Sequence, residues 1–224
     1  MKNNSIQSVN DLTLKINEIY YSLQGESTHS GRPCIFIRLT YCNLRCTYCD
    51  TAYAFYEGKE MKLSDIIDEV KSYHCNLVEI TGGEPLIQKN VVSLMQLLCD
   101  DDFEVLLETA GHMDISKIDP RVKKIMDIKC PSSGESEKTF WKNIDFLKMD
   151  DEIKFVVGTQ EDLKFSRQII EKYELSNRCQ ILISPVFDKI TNQEVAEWIL
   201  QSHLPVRMQI QLHKVIWDPS ARRV

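Results

Sequence analysis

Hydrophobic positions along the chain alternate between the two-residue period of strands and the longer period of amphipathic helices. This pattern predicts strands at residues 14–21, 34–39, 77–81, 104–109, 124–129, 152–157, 180–184 and 207–212. It predicts helices at residues 64–73, 91–99, 138–147, 161–173 and 193–202. Strands and helices alternate about six times, which indicates an α/β fold of mostly parallel strands joined by right-handed crossover helices.

Periodicity alone does not decide whether these strands form a partial barrel or an open sheet. Polar and glycine-rich segments fall just after successive predicted strands. They are residues 42–51, 81–85, 108–111, 129–134 and 184–185. Because active sites of parallel α/β folds are built at the carboxyl ends of their strands, we expect all of these segments to converge on one face.

Composition narrows the class of protein. The chain has 224 residues, of which 43% are hydrophobic, and it contains no low-complexity tract or long linker, so we expect one domain over residues 1–224. A formal charge of -6 without a Lys/Arg-rich stripe argues against nucleic-acid binding and favours a small-molecule substrate. Residues 1–15 lack the apolar core of a signal peptide, and no segment approaches the roughly 18 apolar residues that span a bilayer. We therefore expect a cytoplasmic protein without membrane contact.

The strongest chemical signal follows the strand predicted at residues 34–39, where Cys42, Cys46 and Cys49 have the spacing C-x-x-x-C-x-x-C. Neighbouring thiolates suit a soft metal centre, and a 4Fe–4S cluster is usually held by four cysteine thiolates. Only three are close together here. An open position is what a catalytic metal site keeps for its substrate, so the spacing favours catalysis over electron storage.

Two other interpretations of these cysteines stay open. Their spacing would also place them on one face of a helix as small apolar residues, although their neighbours are polar. A structural zinc ion would need a fourth ligand, and none of the candidates belongs to a second paired ligand motif. These candidates are Cys75, Cys130, His74 and His213.

A second segment, Gly82-Gly83-Glu84-Pro85, follows the strand predicted at residues 77–81. Alone it would be a turn between a strand and a helix. Together with the three cysteines it resembles the radical S-adenosylmethionine (SAM) superfamily, whose fold is a partial (β/α)6 barrel. The resemblance implies that the cysteines bind three irons of a 4Fe–4S cluster and that SAM chelates the fourth. One-electron reduction would then cleave SAM to a 5′-deoxyadenosyl radical.

The same resemblance implies a set of cofactor-binding positions. The glycine segment would bind the methionyl amino group, and the aromatic Tyr48 would pack near the adenine. For the later single-residue positions a structural role is equally compatible with the sequence. The full set is Tyr48, Asp50, Gly82, Gly83, Glu84, Gly111, Asp127, Ile128, Lys129, Ser184 and Pro185.

Further segments resemble one family of that superfamily, the 7-carboxy-7-deazaguanine synthases. They are Ser-Leu-Gln-Gly-Glu at residues 22–26, Phe-Ile-Arg-Leu at 36–39, Cys-Asp-Thr at 49–51, and residues 108–111, 129–134 and 211–214. The resemblance implies the substrate 6-carboxy-5,6,7,8-tetrahydropterin and the products 7-carboxy-7-deazaguanine and ammonia, on the route to deazapurines such as queuosine. The radical would abstract hydrogen from the carbon bearing the carboxylate, the ring would contract, and the hydrogen would return to regenerate SAM.

The family resemblance also implies substrate and metal contacts. The substrate-binding set is Leu23, Gln24, Gly25, Glu26, Arg38 and Thr109, in which Arg38 would meet the substrate carboxylate. Thr51 is implied as a Mg²⁺ ligand, and because one neutral hydroxyl cannot hold this ion alone, we expect metal binding to depend on substrate. No side chain is assigned a catalytic role. Ser27 and Ala110 depart from the family pattern, which more often has glycine at the first position and serine or asparagine at the second.

The family further implies an external one-electron donor, resembling flavodoxin or ferredoxin, and a homodimer. Two functional alternatives remain at this point. A radical SAM activase that makes a glycyl radical on a partner protein would share the cysteine and Gly-Gly-Glu-Pro segments. A non-catalytic iron–sulfur or zinc module would bind metal without cleaving SAM.

Overall fold

The protein is described by a computed structural model for residue 9 and residues 11–224, and in these residues nine strands form one sheet. Most of the polar lead, residues 1–8 and 10, lies outside the described part. The strands are β1 (Thr13–Leu23), β2 (Pro33–Leu39), β3 (Lys59–Lys62), β4 (Leu77–Gly82), β5 (Glu104–Thr109), β6 (Lys123–Asp127), β7 (Glu152–Val157), β8 (Gln180–Pro185) and β9 (Arg207–Met208). Their order in the sheet is β3-β1-β2-β4-β5-β6-β7-β8-β9.

The sheet is mostly parallel and open. Each neighbouring pair from β2 to β9 is parallel, whereas β1 runs antiparallel to both β2 and β3. The edges are formed by different strands, β3 and β9, so the sheet does not close on itself. This architecture confirms the expected α/β fold with a partial barrel.

Helices cover one face of the sheet and form the core with it. They are α1 (Leu63–Ser72), α2 (Val91–Asp100), α3 (Gln160–Lys172) and α4 (Asn192–Ser202). A short fifth helix, α5 (His213–Ile216), has no buried residue and lies outside this core. One apolar cluster joins β1, β2, β4 and β5 to α1 and α2, and a second joins β6, β7 and β8 to α3 and α4. In the described residues no helix is both long and apolar enough to cross a membrane.

Side chains on the other face of the strands line the inside of the partial barrel. A small apolar cluster of Tyr20, Cys34, Phe36, Leu77, Leu106 and Ile125 forms its floor. Farther along the strands the inward positions become polar, and they include Arg38, Glu79, Glu108, Asp127 and Lys154. Because side chains alternate between the two faces of a strand, this charged mouth lies at the carboxyl ends of the parallel strands.

The prediction of an α-helix at residues 138–147 is wrong. The structure has two 3₁₀ helices there, Ser136–Lys138 and Trp141–Phe146. The side-chain amide of buried Asn143 donates to the carbonyl oxygens of Gly111 (3.1 Å) and Met113 (2.7 Å). These contacts tie the segment to the loop after β5, and this tertiary constraint overrides the helical pattern.

The strand predicted at residues 207–212 is also too long, because β9 ends at Met208. The backbone amide of Gln209 still donates to Ile183, at 2.9 Å, but the side chains of Gln209 and Gln211 turn toward Glu26. The short elements β3 and α5 were not predicted. The other predicted strands and helices are confirmed, with ends that differ by one or two residues.

Asp162, at the start of α3, joins three segments of the chain. Its buried carboxylate accepts hydrogen bonds from the backbone amides of Gly158 (2.8 Å) and Thr159 (3.0 Å), at the end of β7. It also accepts from the backbone amide of Ser132 (2.9 Å) and from the Ser132 hydroxyl (2.5 Å), after β6. The loop after β6 is thereby fixed against the start of α3.

We expect Asp162→Ala to lower the free energy of unfolding by about 3 kcal/mol, because three backbone amides, of which that of Gly158 is buried, would lose their acceptor. Urea denaturation followed by circular dichroism measures this change. Asp68→Ala, which removes an exposed carboxylate from α1, is the matched control and should stay within about 0.5 kcal/mol of the wild type. Equal stability of the two variants would contradict the role given to Asp162.

Candidate active site

The three cysteines lie in the loop between β2 and the 3₁₀ helix Ala52–Phe55, at the charged mouth. The loop after β6 holds this cysteine loop in place. Thr47 donates its backbone amide to Ser133 (3.1 Å) and its hydroxyl to Ser132 (2.8 Å). Arg45 donates its backbone amide to the carboxylate of Glu135, at 2.6 Å. An irregular loop is therefore fixed by contacts from a distant part of the chain.

Cys42, Cys46 and Cys49 are half-buried, and the chain around them forms turns and bends. The alternative in which they pack on one face of a helix is therefore wrong. Burial raises the pKa of the Cys46 thiol, and the nearby ammonium group of Lys129 opposes this shift. A metal centre would bind the deprotonated thiolates, and a cation beside them favours that form.

No group of three or more His, Cys, Asp or Glu side chains in the described residues is arranged to hold a single metal ion. A zinc ion would need such convergence, so the zinc interpretation gains no support from the geometry. In an iron–sulfur cube each cysteine binds a different iron atom, so its ligands need not converge on one point. The cysteine loop is compatible with the cube.

Gly82 ends β4 and packs against the end of β2, and Gly83 follows it and packs against the cysteine loop. A Cβ atom on Gly83 would lie 2.3 Å from the carbonyl oxygen of Tyr41 and 2.6 Å from Cβ of Cys42. Gly82 has a φ of +148°, and its Cβ would lie 2.3 Å from the carbonyl oxygen of Leu39. Only glycine allows this approach without displacing one of the two segments. The pair therefore positions the cysteine loop.

Glu84 and Thr109, both predicted to contact ligands, bind each other. Glu84 is fully buried, and each of its carboxylate oxygens accepts the Thr109 hydroxyl at 2.9 Å. The same carboxylate accepts the backbone amides of Ala110 (2.8 Å) and Leu86 (3.0 Å). These contacts clamp the end of β4 to the end of β5, which is a structural role for both side chains.

His112, which sequence reasoning did not single out, connects this clamp to the cysteine loop. One ring nitrogen, Nε2, lies 2.6 Å from the side-chain oxygen of Asn43, and Nδ1 lies 3.7 Å from the Glu84 carboxylate. Burial, together with the ammonium groups of Lys129 and Lys138, lowers the pKa of His112 to about 4. The imidazole is therefore neutral at physiological pH.

The predicted cofactor-binding residues after β6 sit beside the cysteine loop. Lys129 donates to Oδ2 of Asp127 at 2.9 Å, while Oδ1 of Asp127 is buried and has no partner among the described residues. Tyr48 donates its hydroxyl to the carbonyl oxygen of Val156 at 3.2 Å. The Ile128 side chain packs into the core, so this residue offers only its backbone to a ligand. A buried acceptor without a donor suits a ligand hydroxyl group.

The remaining predicted cofactor positions surround the same mouth. Gly111 has a φ of +70°, and a Cβ atom there would lie 2.9 Å from Cγ of Met126. Ser184 and Pro185 are buried at the carboxyl end of β8. The structure thus brings the predicted cofactor residues of β4, β5, β6 and β8 together at the carboxyl ends of the parallel strands.

The predicted substrate loop, residues 23–26, is bound to the inner face by its polar side chains. Gln24 is buried and donates its side-chain amide to Glu79, while its side-chain oxygen accepts the backbone amide of Glu26 at 3.0 Å. Glu26 accepts from Lys154 (2.7 Å) and from the side-chain amides of Gln209 and Gln211. The C-terminal segment therefore closes over this loop.

Two other residues of this loop have simpler settings. Leu23 ends β1, and Gly25 packs against the C-terminal segment. A Cβ atom on Gly25 would lie 2.5 Å from Nδ1 of His213. The carbonyl oxygen of Gly25 also accepts the backbone amide of Leu212 at 2.9 Å. Glycine is thus required where the C-terminal segment crosses the loop.

Two side chains of β1 bind the guanidinium group of Arg38, which lies on β2. Its Nε donates to Glu18 at 2.8 Å and its Nη2 donates to the hydroxyl of Tyr20 at 2.9 Å. The side chain is only 14% exposed, which rules out a solvated strand arginine. Although burial opposes it, the neighbouring Tyr20, Tyr53 and Glu18 raise the pKa of Arg38. The guanidinium group stays charged and retains donors that can bind an anion.

Thr51 lies beside a carboxylate. Its hydroxyl donates to Asp50 at 3.2 Å, and Asp50 also accepts from Lys214 (3.0 Å) and Gln211 (3.3 Å). Burial opposes ionisation, but the Lys214 ammonium group outweighs it and lowers the pKa of Asp50 to about 2. Hydroxyl and carboxylate oxygens at this point match the ligand preference of Mg²⁺.

The departure at Ser27 has a structural explanation. Ser27 has a φ of +63°, the left-handed region that favours glycine. Its backbone amide donates to the side-chain oxygen of Gln209 at 2.7 Å, and its hydroxyl accepts the backbone amide of His29 at 3.0 Å. These two hydrogen bonds offset the backbone strain.

Sequence reasoning missed several polar residues of the mouth. Four of these side chains pair with predicted site residues, and they are Glu18, Glu79, Lys154 and Gln209. Glu108 and Gln211 lie in segments that the sequence singled out without giving either side chain a role, and they bind Lys154 and Glu26 respectively. The signal was present, because Glu79 and Lys154 are charged residues at alternate positions of otherwise apolar strands. Charged residues in such strands indicate a polar interior.

Comparison with known proteins places this geometry in context. The Radical SAM superfamily profile matches residues 36–199. The 7-carboxy-7-deazaguanine synthase of Chlorobaculum tepidum is 43% identical over 94% of this chain and 97% of its own length. The synthase of the same name from Koribacter versatilis is 42% identical over 94% of this chain and 100% of its own.

Solved structures agree in fold. QueE from Escherichia coli superposes with a TM-score of 0.73 over 93% of this chain and 98% of that chain, at 21% identity. SuiB from Streptococcus suis, bound to S-adenosylmethionine, superposes with a TM-score of 0.56 over 76% of this chain and 48% of that chain, at 15% identity. At these identities the likeness shows the fold alone.

We expect Gly83→Ala to reduce the iron and sulfide retained after anaerobic reconstitution to less than about half of the wild-type amount, because the new methyl group would displace the cysteine loop. Chemical iron and sulfide analysis with the visible absorption spectrum measures this loss. Gly158→Ala is the matched control, since its nearest contact would be a side-chain hydroxyl at 3.3 Å. Full cluster content in Gly83→Ala would show that the close approach is unimportant.

Proposed function

We propose that this chain, which belongs to the radical SAM superfamily and to the family of 7-carboxy-7-deazaguanine synthases, converts 6-carboxy-5,6,7,8-tetrahydropterin to 7-carboxy-7-deazaguanine and ammonia. The enzyme is then a carbon–nitrogen lyase on the route to deazapurines such as queuosine. One observation carries the proposal for the site. The half-buried cysteines open onto the same mouth as Arg38, Glu26 and Glu108. The proposed cluster ligands and the side chains proposed to bind the substrate therefore face one space.

The cofactors are a 4Fe–4S cluster and S-adenosylmethionine. When bound, they supply a 5′-deoxyadenosyl radical that abstracts hydrogen from the substrate. Cys42, Cys46 and Cys49 hold the cluster in this proposal, and the unpartnered Oδ1 of Asp127 accepts a hydroxyl of the cofactor. Lys129 keeps Asp127 in place through Oδ2.

The other predicted cofactor contacts are backbone groups or lie farther around the mouth. Gly82 and Gly83 bring the backbone close to the cysteine loop, where the amino group of the cofactor would sit. Tyr48 lines the side next to β7. In this proposal Glu84 acts through the clamp with Thr109 rather than by touching the cofactor.

The substrate and product differ by one molecule of ammonia, so the net reaction involves neither oxidation nor reduction. Arg38 binds the substrate carboxylate through donors that Glu18 and Tyr20 leave free, an interaction worth about 1.5 to 3 kcal/mol. Gln24 fixes the loop on which Glu26 presents its carboxylate to the pterin. These side chains bind and orient the substrate.

Mg²⁺ completes the proposed site. Thr51 supplies a hydroxyl, and the neighbouring Asp50 supplies an ionised carboxylate in partial contact with Lys214. Two protein oxygens are few for an ion that demands six ligands, so substrate oxygens and water complete the shell. Metal and substrate therefore bind together.

The proposal also covers partners and organisation. An external one-electron donor, resembling flavodoxin or ferredoxin, reduces the cluster. Two copies of the chain, each a single domain over residues 1–224, form a homodimer in the cytoplasm. A small pterin is the substrate, and neither nucleic acid nor membrane is involved. A glycyl-radical activase has no need of the substrate loop, and the relatives above carry a different name.

The deciding experiment is an anaerobic assay of reconstituted protein with a chemical reductant, Mg²⁺, SAM and 6-carboxytetrahydropterin. We expect mass spectrometry to detect 7-carboxy-7-deazaguanine, and we expect Cys46→Ala to abolish it because the cluster loses a ligand. Cleavage of SAM without this product would move the substrate elsewhere. Absence of SAM cleavage would favour a non-catalytic iron–sulfur module.

We expect Thr51→Ala to lower kcat about tenfold or more at limiting Mg²⁺, because the ion loses a protein ligand, while the cluster stays intact. Thr51→Ser keeps the hydroxyl and is the matched control, with activity close to the wild type. Titration of the rate with Mg²⁺, together with iron analysis, measures both effects. Unchanged Mg²⁺ dependence in Thr51→Ala would refute the assignment.

A further inference from the structure

Lys154 lies at the centre of the charged mouth and gathers carboxylates from three parts of the fold. Its side chain is 5% exposed. The ammonium nitrogen lies 2.7 Å from Oε2 of Glu26, in the loop after β1, and contacts Oε1 of Glu108, at the end of β5. It lies 3.9 Å from Oδ2 of Asp127, at the end of β6. Among the described residues, no other lysine ammonium group lies within 4.0 Å of three carboxylates.

Carboxylates of the protein itself bind Lys154. Of its three N–H donors two form hydrogen bonds, to Glu26 and Glu108, and the ammonium group is also within ion-pair distance of Asp127. Burial opposes the charge, but the carboxylates of Glu108 and Glu26 raise the pKa of Lys154 well above its usual value. Lys154 therefore stays charged, and both of its hydrogen bonds go to the two glutamates.

The carboxylates, in contrast, have acceptor capacity to spare. Glu108 is 29% exposed, and each of its oxygens accepts one hydrogen bond, from Lys154 and from the Thr81 hydroxyl. Glu26 is 21% exposed and accepts three. An ionised carboxylate can accept about four, so both groups have free lone pairs that face the mouth.

The two carboxylates need the cation to remain side by side. Two carboxylates that contact the same ammonium group repel each other in a partly buried site. Glu79 lies beneath them, and burial and the charges of Glu108 and Glu26 raise its pKa well above the usual value. Removing the ammonium group would leave Glu26 and Glu108 without the cation that they share, which disfavours the present arrangement.

We propose that Lys154 is a positioning residue of the substrate pocket, which holds Glu26 and Glu108 together so that both carboxylates accept hydrogen bonds from one pterin. The amino group and ring N–H groups of a pterin are donors of the required kind. This inference rests on the proposed function. Lys154 acts through the two carboxylates and does not touch the substrate.

The test compares Lys154→Met with Lys124→Met in steady-state kinetics of the reconstituted enzyme. Lys124 is the matched control, since it is equally buried and pairs with buried Asp151 at 3.0 Å, but it lies on the helix-covered face of β6. We expect Lys154→Met to raise the KM for the pterin at least about tenfold, which corresponds to about 1.4 kcal/mol. Iron content should stay within about twofold of the wild type, because Lys154 contacts none of the three cysteines.

Two further variants separate positioning from folding. Lys154→Arg keeps the charge, so its KM should lie between those of Lys154→Met and the wild type. A purely structural defect would not show this recovery. Glu108→Gln keeps the size of the side chain and leaves Lys154 in place, so it decides the matter if Lys154→Met does not fold. It should raise the same KM with unchanged cluster content.

The outcomes distinguish the two proposals. A wild-type chain that forms no product from the pterin overturns the proposed function and this inference with it. An active wild type in which Lys154→Met behaves like Lys124→Met, or Glu108→Gln keeps the wild-type KM, overturns the inference alone. A rise in KM confined to Lys154→Met and Glu108→Gln supports it.

Discussion

Pairing of buried charges on the inner face of the sheet is the constraint on which the rest of the site depends. Removing an unpaired carboxylate or ammonium group from water costs several kcal/mol, so each one must meet a partner. Lys154 meets Glu26 and Glu108, and Arg38 meets Glu18. These pairs join the loop after β1 to β5 and β7, and β1 to β2. The strands are held by their apolar face, and the loop after β1 is held against β7 by the ion pair of Glu26 with Lys154.

Residues that look like ligand contacts also serve as the scaffold of the mouth. Glu84 and Thr109 form hydrogen bonds with each other, and Gly83 leaves space for the backbone of the cysteine loop. A motif read from sequence therefore marks a position at the mouth more reliably than it marks direct contact with a ligand. The distinction matters for mutagenesis, because loss of activity in such variants can arise from displacement of a neighbouring loop.

The sequence predicted the parallel strands and the location of the site well, for a physical reason. Strands such as 104–109 and 152–157 are buried and regular, and their pattern depends on local burial alone. The segment 138–147 failed because the amide of Asn143 satisfies carbonyl groups about 30 residues away, which no local pattern records. The pairing of Lys154 with Glu26 and Glu108 was missed for the same reason, since these partners come from the loop after β1 and from β5.

The balance of charge at the mouth gives a physical reason for its choice of cofactor. Glu26, Glu108 and Asp127 face the ammonium groups of Lys154 and Lys129, while burial and the charges of Glu108 and Glu26 raise the pKa of Glu79 well above its usual value. Around these two lysines, carboxylates therefore outnumber ammonium groups by three to two. SAM carries a sulfonium and an ammonium group against one carboxylate, so its net charge is of the opposite sign. Because a partly buried site screens charge weakly, this complementarity favours the cationic cofactor over a neutral cleavage product. The same carboxylates would repel an anionic pterin, and the Arg38 guanidinium group on β2 would offer the opposite charge to the pterin carboxylate.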